Sequence, residues 1–311
     1  MTRTAHPPHR GGGLGRGSVV MFAFIDWQPS LEIFNLGGFA VRWYSACWCV
    51  GLILGYIIVQ RIYKQQKLED EKFDPLFLYC FVGIIAGARI GHCLFYEPAY
   101  YLSSFKAFLE MLIPVRFAPD SWDFQYRGYE GLASHGGTIG VILAMILYAR
   151  NVGMKMFHVI DNVAIAVPVT ACFIRLGNLM NSEIIGNVTD VPWAFIFHSH
   201  EALVEGMPVP RHPAQLYEAI AYALIFFAQF YIYKTKSTSG IERFKPGNGF
   251  YFGFCITTIF VFRFFVEFIK KEQVDFEQGM LLDMGQLLSV PFCLLGAWLM
   301  WNAGRKEMKN S

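Results

Sequence analysis

The sequence predicts an all-α polytopic membrane protein with seven transmembrane helices, its N-terminus outside, its C-terminus cytoplasmic, and a small extracytoplasmic cap. Three observations carry that expectation. Hydrophobic residues fill 54% of the 311 positions and charged residues only 16%, with a mean hydropathy of +0.36, whereas soluble domains carry more charge. Seven apolar segments approach the roughly 20 residues that a spanning helix needs. Lys and Arg collect in alternate connections, the pattern that sets orientation in a bilayer. The net charge of +2 and pI near 8.1 are too mild to point to nucleic acid.

The elements follow in chain order. Residues 1–20, MTRTAHPPHRGGGLGRGSVV, are rich in Gly, Arg, Pro and His and lack the apolar core of a signal peptide. They are expected to be a disordered or non-native extension, with translation starting at Met21 and FAFIDWQPSLEIF opening an amphipathic entry segment. Residues 21–311 then form a single membrane domain, with spans at about 39–60, 76–96, 131–149, 159–176, 214–233, 249–269 and 285–302. RIYKQQKLEDEK, ARNVGMK, YKTKSTSGIERFK and AGRKEMK follow the first, third, fifth and seventh spans and are therefore cytoplasmic.

Three connections remain on the outer side: about 97–130, 177–213 and 270–284. The first is dense in aromatic residues, among them Tyr100, Tyr101, Phe105, Trp122 and Tyr126, as suits chain lying in the membrane interface. The second, with NVTDVPWAFIF, Pro208 and Pro210, reads as the cap. Gly83, Gly87 and Gly91 recur every fourth residue on the second span, and Gly136 and Gly140 do so on the third, a pattern for close helix packing. The seven cysteines sit in apolar stretches without a CxxC pair and read as small buried hydrophobes.

Each embedded polar residue has a structural and a functional reading. RLGNLMNSEIIG, residues 175–186, closes the fourth span. Arg175, Asn178, Asn181 and Glu183 would be costly in lipid, so they line a polar cavity, pair with one another or contact a ligand. Four such groups within nine residues favour a ligand site over a simple helix tie. Arg89, in AGARIGHCLFY, reads equally as a structural pair or a functional charge. His135, in LASHGGTIG, opens the third span, where a lone histidine is more often interfacial than catalytic. In HPAQLYEA, His212, Gln215, Tyr217 and Glu218 enter the fifth span, and Pro213 suits a first helical turn. FRFFVEFIKK places Arg263, Glu267 and Lys270 on one helical face. An Arg263–Glu267 pair alone would be structural. With Arg175 also embedded, two guanidiniums offer planar forks of donors that suit a phosphate.

In order along the chain, WYS (Trp43, Tyr44), ARIGHCLFY, SHGGTIGV, RLGNLMNSEIIG, PRHPAQLYE, FRFFVEF and MGQLLSVP resemble the blocks of the prolipoprotein diacylglyceryl transferases. The resemblance spans about residues 39–302. It implies a multi-pass enzyme of the bacterial cytoplasmic (inner) membrane, its active site toward the outer leaflet. Such an enzyme moves a diacylglyceryl group from phosphatidylglycerol to the lipobox cysteine of a prolipoprotein, forming a thioether and releasing glycerol phosphate. The partners implied are phosphatidylglycerol, prolipoprotein lipobox peptides and membrane lipid, with no cofactor and no metal. By motif, Arg175 and Arg263 hold the lipid phosphate, and His135 and Tyr44 sit at the reacting end. Asn178, Asn181, Glu183 and Gly186 shape the site, and Glu267, Lys270 and Arg89 join the substrate-binding set. Where the family usually has Gly before its arginine and Phe after the first Asn, this chain has Ile174 and Leu179. Where many members carry a second arginine after the VEF block, it has Lys270, which keeps charge but not bidentate geometry.

The substrate's own thiol is the nucleophile in that reaction, so no enzyme cysteine is required. A free thiol with a pKa of about 8.5 is mostly protonated at neutral pH and needs a base or a positive field; His135 or Tyr44 would accept its proton. Two rivals come from other classes. A lipid or anion transporter would bind phosphate without breaking it, but usually carries paired repeats and broken helices, and no repeat is visible here. An intramembrane protease needs a Ser–His, Asp–Asp or HExxH arrangement at depth, which the sequence lacks.

Overall fold

The computed structural model describes residues 24–36, 39–113, 115–118, 121–126, 133–271 and 282–310. The expected extension 1–20 and the start at Met21 lie outside the described residues. The helices are α1 (Trp43–Gln65), α2 (Asp70–Phe95), α3 (Pro98–Tyr101), α4 (Phe105–Leu112), α5 (Ser134–Asn151), α6 (Met156–Met180), α7 (Ala214–Lys236), α8 (Phe250–Glu267) and α9 (Met284–Asn310). Among the described residues, six are long and apolar enough to cross a membrane: α1, α2, α6, α7, α8 and α9. At the third expected span, α5 is apolar over Gly136–Asn151 but shorter. At about 1.5 Å per residue its 18 residues cover about 27 Å, slightly less than the hydrocarbon core of a typical bilayer.

The long helices pack in pairs, α1 on α6, α2 on α5, α6 on α7 and α8 on α9. The spaced glycines explain the second pair. A Cβ at Gly91 would stand 2.6 Å from the Gly136 Cα, and one at Gly83 would stand 2.7 Å from the Gly140 carbonyl oxygen. Only bare backbone fits at that separation. The outward faces carry exposed Ile53, Leu78, Leu143, Leu224, Phe265 and Leu294, the apolar exterior that a bilayer solvates. Cys93, Cys172 and Cys255 are buried as expected, while Cys49 lies on the exposed face of α1.

Short strands fill the connections, a departure from the purely helical expectation. They are β1 (Ile25–Trp27), β2 (Glu32–Leu36), β3 (Phe39–Arg42), β4 (Val115–Phe117), β5 (Phe124–Tyr126), β6 (Phe195–Phe197), β7 (Leu203–Val204), β8 (Met207–Pro208) and β9 (Pro210–Arg211). The segment before α1 adds β1 parallel to β6, and β6 pairs antiparallel with β9. Trp27 Nε1 donates to the Leu179 carbonyl at 2.9 Å, and His198 Nε2 lies 2.5 Å from Asp26 Oδ1. These contacts fasten the entry segment over the end of α6, above a small core of Leu179, Ile185, Phe195, Phe197 and Ala202. Such pairing joins residues about 170 positions apart, which local periodicity does not report. The first expected span at 39–60 accordingly begins one strand early, with β3 occupying its first four residues.

Candidate active site at the end of α6

The start of α1, the end of α6, the start of α7, the end of α8 and the start of α9 converge at one end of the bundle. Tyr44, in the first turn of α1, packs on Gly177, where an added Cβ would stand 3.0 Å from the tyrosine ring. The half-buried Tyr44 lies within the fields of Arg175 and Glu183.

The run 175–186 is a connected set of polar contacts. Arg175 NH1 donates to Asn178 Oδ1 at 3.3 Å, Asn178 Nδ2 donates to Glu183 Oε2 at 3.2 Å, and Asn181 Nδ2 donates to Glu183 Oε1 at 3.0 Å. Glu183 sits between two residues in the left-handed region, Ser182 at φ 54° and Ile184 at φ 58°. A β-branched residue is rarely found there, and each such position costs about 1–3 kcal/mol. Hydrogen bonds hold the turn: the Glu183 N–H donates to the Asn178 carbonyl at 3.0 Å, the Lys271 N–H to the Ile185 carbonyl at 3.1 Å, and Gln215 Nε2 to the Glu183 carbonyl.

Glu218 is the hub of the charged part of the site. Its side chain has 0% exposure, and its Oε2 lies 3.1 Å from Arg175 Nε. Tyr222, one turn further along α7, donates its hydroxyl to Oε1 at 3.1 Å and also interacts with Arg175. Lys270 Nζ stands 3.7 Å from Glu218 Oε1 and 3.1 Å from Glu267 Oε2. A buried carboxylate is tolerable only with such partners.

Arg263 is placed differently. It is half-buried on α8, its charge reaches Tyr222, and it forms no ion pair or hydrogen bond with another described residue. The Arg263–Glu267 pair that helical spacing suggests is not made, because Glu267 turns to Lys270. Arg175 and Lys270 are paired with Glu218 and Glu267, and Glu183 accepts from the two asparagines. Arg263 is held by no carboxylate among the described residues.

The other expected site residues have different surroundings. Gly186 is where three backbone segments cross. Its N–H donates to the His212 carbonyl at 2.9 Å, and a Cβ would stand 2.6 Å from that oxygen and 2.8 Å from the Ile269 carbonyl. Arg89 is buried and faces the connection after α2, donating to the Tyr101 hydroxyl at 3.1 Å and the Glu110 carbonyl at 2.8 Å. Glu110 in turn accepts from the Tyr100 hydroxyl and the Phe117 N–H. His135 belongs to the first turn of α5, and its side chain lies outside the described residues. Among the described residues, no group of three His, Cys, Asp or Glu side chains converges as a metal site. Glu218 and Gln215 stood in the sequence only as polar entrants to a helix, and Tyr222 drew no notice. The signal for the last was its position four residues after Glu218, on the same helical face.

An apolar cleft of about 330 Å³ runs between α1, α2, α5 and α6, lined by Trp48, Tyr56, Phe77, Phe81 and Val167 and reaching Ile174, the residue before Arg175.

A family model described as prolipoprotein diacylglyceryl transferase matches residues 32–302. The chain belongs to the prolipoprotein diacylglyceryl transferase family. It is similar to the phosphatidylglycerol–prolipoprotein diacylglyceryl transferase of Bacteroides fragilis, at 51% identity over 283 residues, covering 91% of this chain and 96% of the relative. The enzyme of the same name from Tolumonas auensis is 40% identical, covering 91% and 99%. That from Chloroherpeton thalassium is 36% identical, covering 90% and 95%. Membership of a diacylglyceryl transferase family makes the chain a transferase and sets aside the transporter reading. Six helices of membrane-spanning length and composition among the described residues make this a mostly helical, multi-pass membrane protein.

Proposed function

We propose that this chain transfers the diacylglyceryl group of phosphatidylglycerol to the lipobox cysteine of a prolipoprotein, at the site where α6, α7 and α8 meet. The observation that carries this assignment is Arg263, a guanidinium on an apolar helix with no carboxylate partner among the described residues, whose charge reaches Tyr222 as that of Arg175 does. An embedded cation without a carboxylate partner calls for an anion. The substrate phosphodiester supplies one negative charge, and the cleft that reaches Ile174 offers room for its acyl chains.

The chemistry follows from those groups. The peptide sulfur attacks the diacylglyceryl carbon bonded to phosphate oxygen. A carbon–sulfur bond forms, the carbon–oxygen bond breaks, and glycerol phosphate leaves with the bonding pair. As the bond breaks, the phosphate gains negative charge, and Arg175 and Arg263 stabilise it. Loss of one such donor costs about 2.7–4 kcal/mol of barrier. His135, or Tyr44 beside Gly177, takes the thiol proton. Asn178, Asn181 and Glu183 set the wall of the site, and Gly186 keeps its backbone crossing close.

All seven long apolar segments, α5 included, cross the inner membrane in this reading, with the N-terminus outside and the C-terminus cytoplasmic. Residues 177–213 then cap the outer face, where the prolipoprotein arrives. The test is purified protein with phosphatidylglycerol and a lipobox peptide. The peptide should gain the mass of one diacylglyceryl unit, and a Cys→Ser peptide should gain none. A chain that leaves the peptide mass unchanged would refute the assignment, as would Arg175→Ala turning over at the native rate.

A further inference from the structure

We infer that Lys270 is a positioning residue, a counter-ion that keeps Glu267 from closing on Arg263, and not itself a phosphate ligand. The inference rests on the phosphate reading above and adds to it how one arginine stays available. On the last turns of α8, Arg263 and Glu267 are four residues apart, the spacing at which opposite charges on a helix meet. Glu267 instead holds Lys270 Nζ at 3.1 Å. Lys270 is 7% exposed and also faces Glu218 at 3.7 Å, so its charge is spent on two carboxylates inside the protein.

Elements on every side fix that arrangement. From α7, Tyr222 donates to Glu218 Oε1 and leaves Oε2 to Arg175. From the segment after α6, Gly186 forms a backbone bridge opposite Lys270, setting where the lysine stem begins. From α9, Gly285 presents no side chain to the Glu267 carboxyl carbon, which a Cβ would approach to 2.6 Å. Gln286 Nε2 donates to the Phe264 carbonyl at 3.2 Å, holding α9 against the end of α8. Glu267 therefore has a packed seat beside Lys270, and Arg263 is left facing the site. Removing the lysine charge would free Glu267 for Arg263, and the arginine would enter the reaction already neutralised. A compact ammonium serves this role without the bidentate fork that a phosphate ligand would use.

The test is a cycle of Lys270→Met, Glu267→Gln and the double variant, read as KM for phosphatidylglycerol and kcat with a lipobox peptide, beside melting temperature. Lys270→Met should raise KM at least about tenfold. In the double variant KM should return to within about threefold of Glu267→Gln alone, because the carboxylate four residues from Arg263 is then neutral. If Lys270→Met does not fold, the double variant against Glu267→Gln gives the same answer. A double variant more than about threefold weaker than Glu267→Gln would overturn the counter-ion role and make Lys270 a ligand in its own right. Failure of the unaltered chain to transfer the lipid group would overturn the phosphate reading and this one with it; transfer without rescue would overturn this one alone.

Discussion

Helix α6 carries a buried polar cluster at each end, and the two are completed in different ways. Near its start, Asp161 is 0% exposed, and backbone N–H groups at the start of α8 satisfy it. Oδ2 accepts from Gly247 at 2.8 Å and Gly249 at 2.9 Å, and Oδ1 accepts from Phe252 at 2.9 Å. One turn away, Gln66 links His158 at 2.6 Å and Asn162 at 2.8 Å. Every partner there is neutral or backbone. Fourteen residues later, about 21 Å along the helix, Arg175 opens a cluster of side-chain charges in which Arg263 has no carboxylate partner among the described residues. A carboxylate that caps another helix needs nothing more. A guanidinium without such a partner can take an anion, and in the proposed reading that difference separates a latch from a site.

Three substitutions test the contrast between the two ends. Glu218→Ala leaves Arg175 and Lys270 buried without their shared anion, and the loss of stability should reach about 3–5 kcal/mol, read as a lower melting temperature in detergent. A melting temperature equal to that of the unaltered chain would mean the cluster is wetter than its burial indicates. Asp161→Asn turns an amide NH₂ toward a backbone donor. It should cost about 1–3 kcal/mol of stability while kcat stays unchanged, and a fall in kcat without loss of stability would erase the distinction between the two ends.

The smallest effect concerns His212, at the margin of the site, whose Nδ1 lies 3.2 Å from the Tyr217 hydroxyl. Burial pushes its imidazole below the usual value. The unfolded chain therefore takes up that proton first as pH falls. The contribution is intact above about pH 6.5 and is lost below it. Between pH 7 and pH 5 the melting temperature of His212→Gln should fall less than that of the unaltered chain. An identical fall in the two proteins would count against it.

Much of this was legible in the sequence because lipid makes polar residues conspicuous. Arg175, Asn178, Asn181, Glu183 and Arg263 stood out against apolar helices, and the structure brings them to one end of the bundle. The glycine spacing of α2 and α5 likewise announced their close packing. What could not be read was which charge pairs with which. Helical spacing offered Glu267 to Arg263, while the actual partner, Lys270, lies beyond the end of α8 beside Glu218 of α7. Arg89 gave no local sign that its partners would be Tyr101 and the Glu110 carbonyl. Tyr222 and Asp161 were hidden for the same reason, because their roles depend on helices that meet only in the fold. The strands before α1 and in the 177–213 segment arise from pairings between distant parts of the chain, and a helix reading has no access to them.

In the proposed reading Arg263, which makes no ion pair among the described residues, is held in reserve for the lipid phosphate. The most direct measurement is kcat/KM for transfer from phosphatidylglycerol to a lipobox peptide by Arg263→Ala, taken beside its melting temperature. A fall of about 10²–10³-fold with an unchanged melting temperature is the predicted result. Turnover within about threefold of the unaltered chain, or a loss of activity that merely tracks a loss of stability, would contradict it.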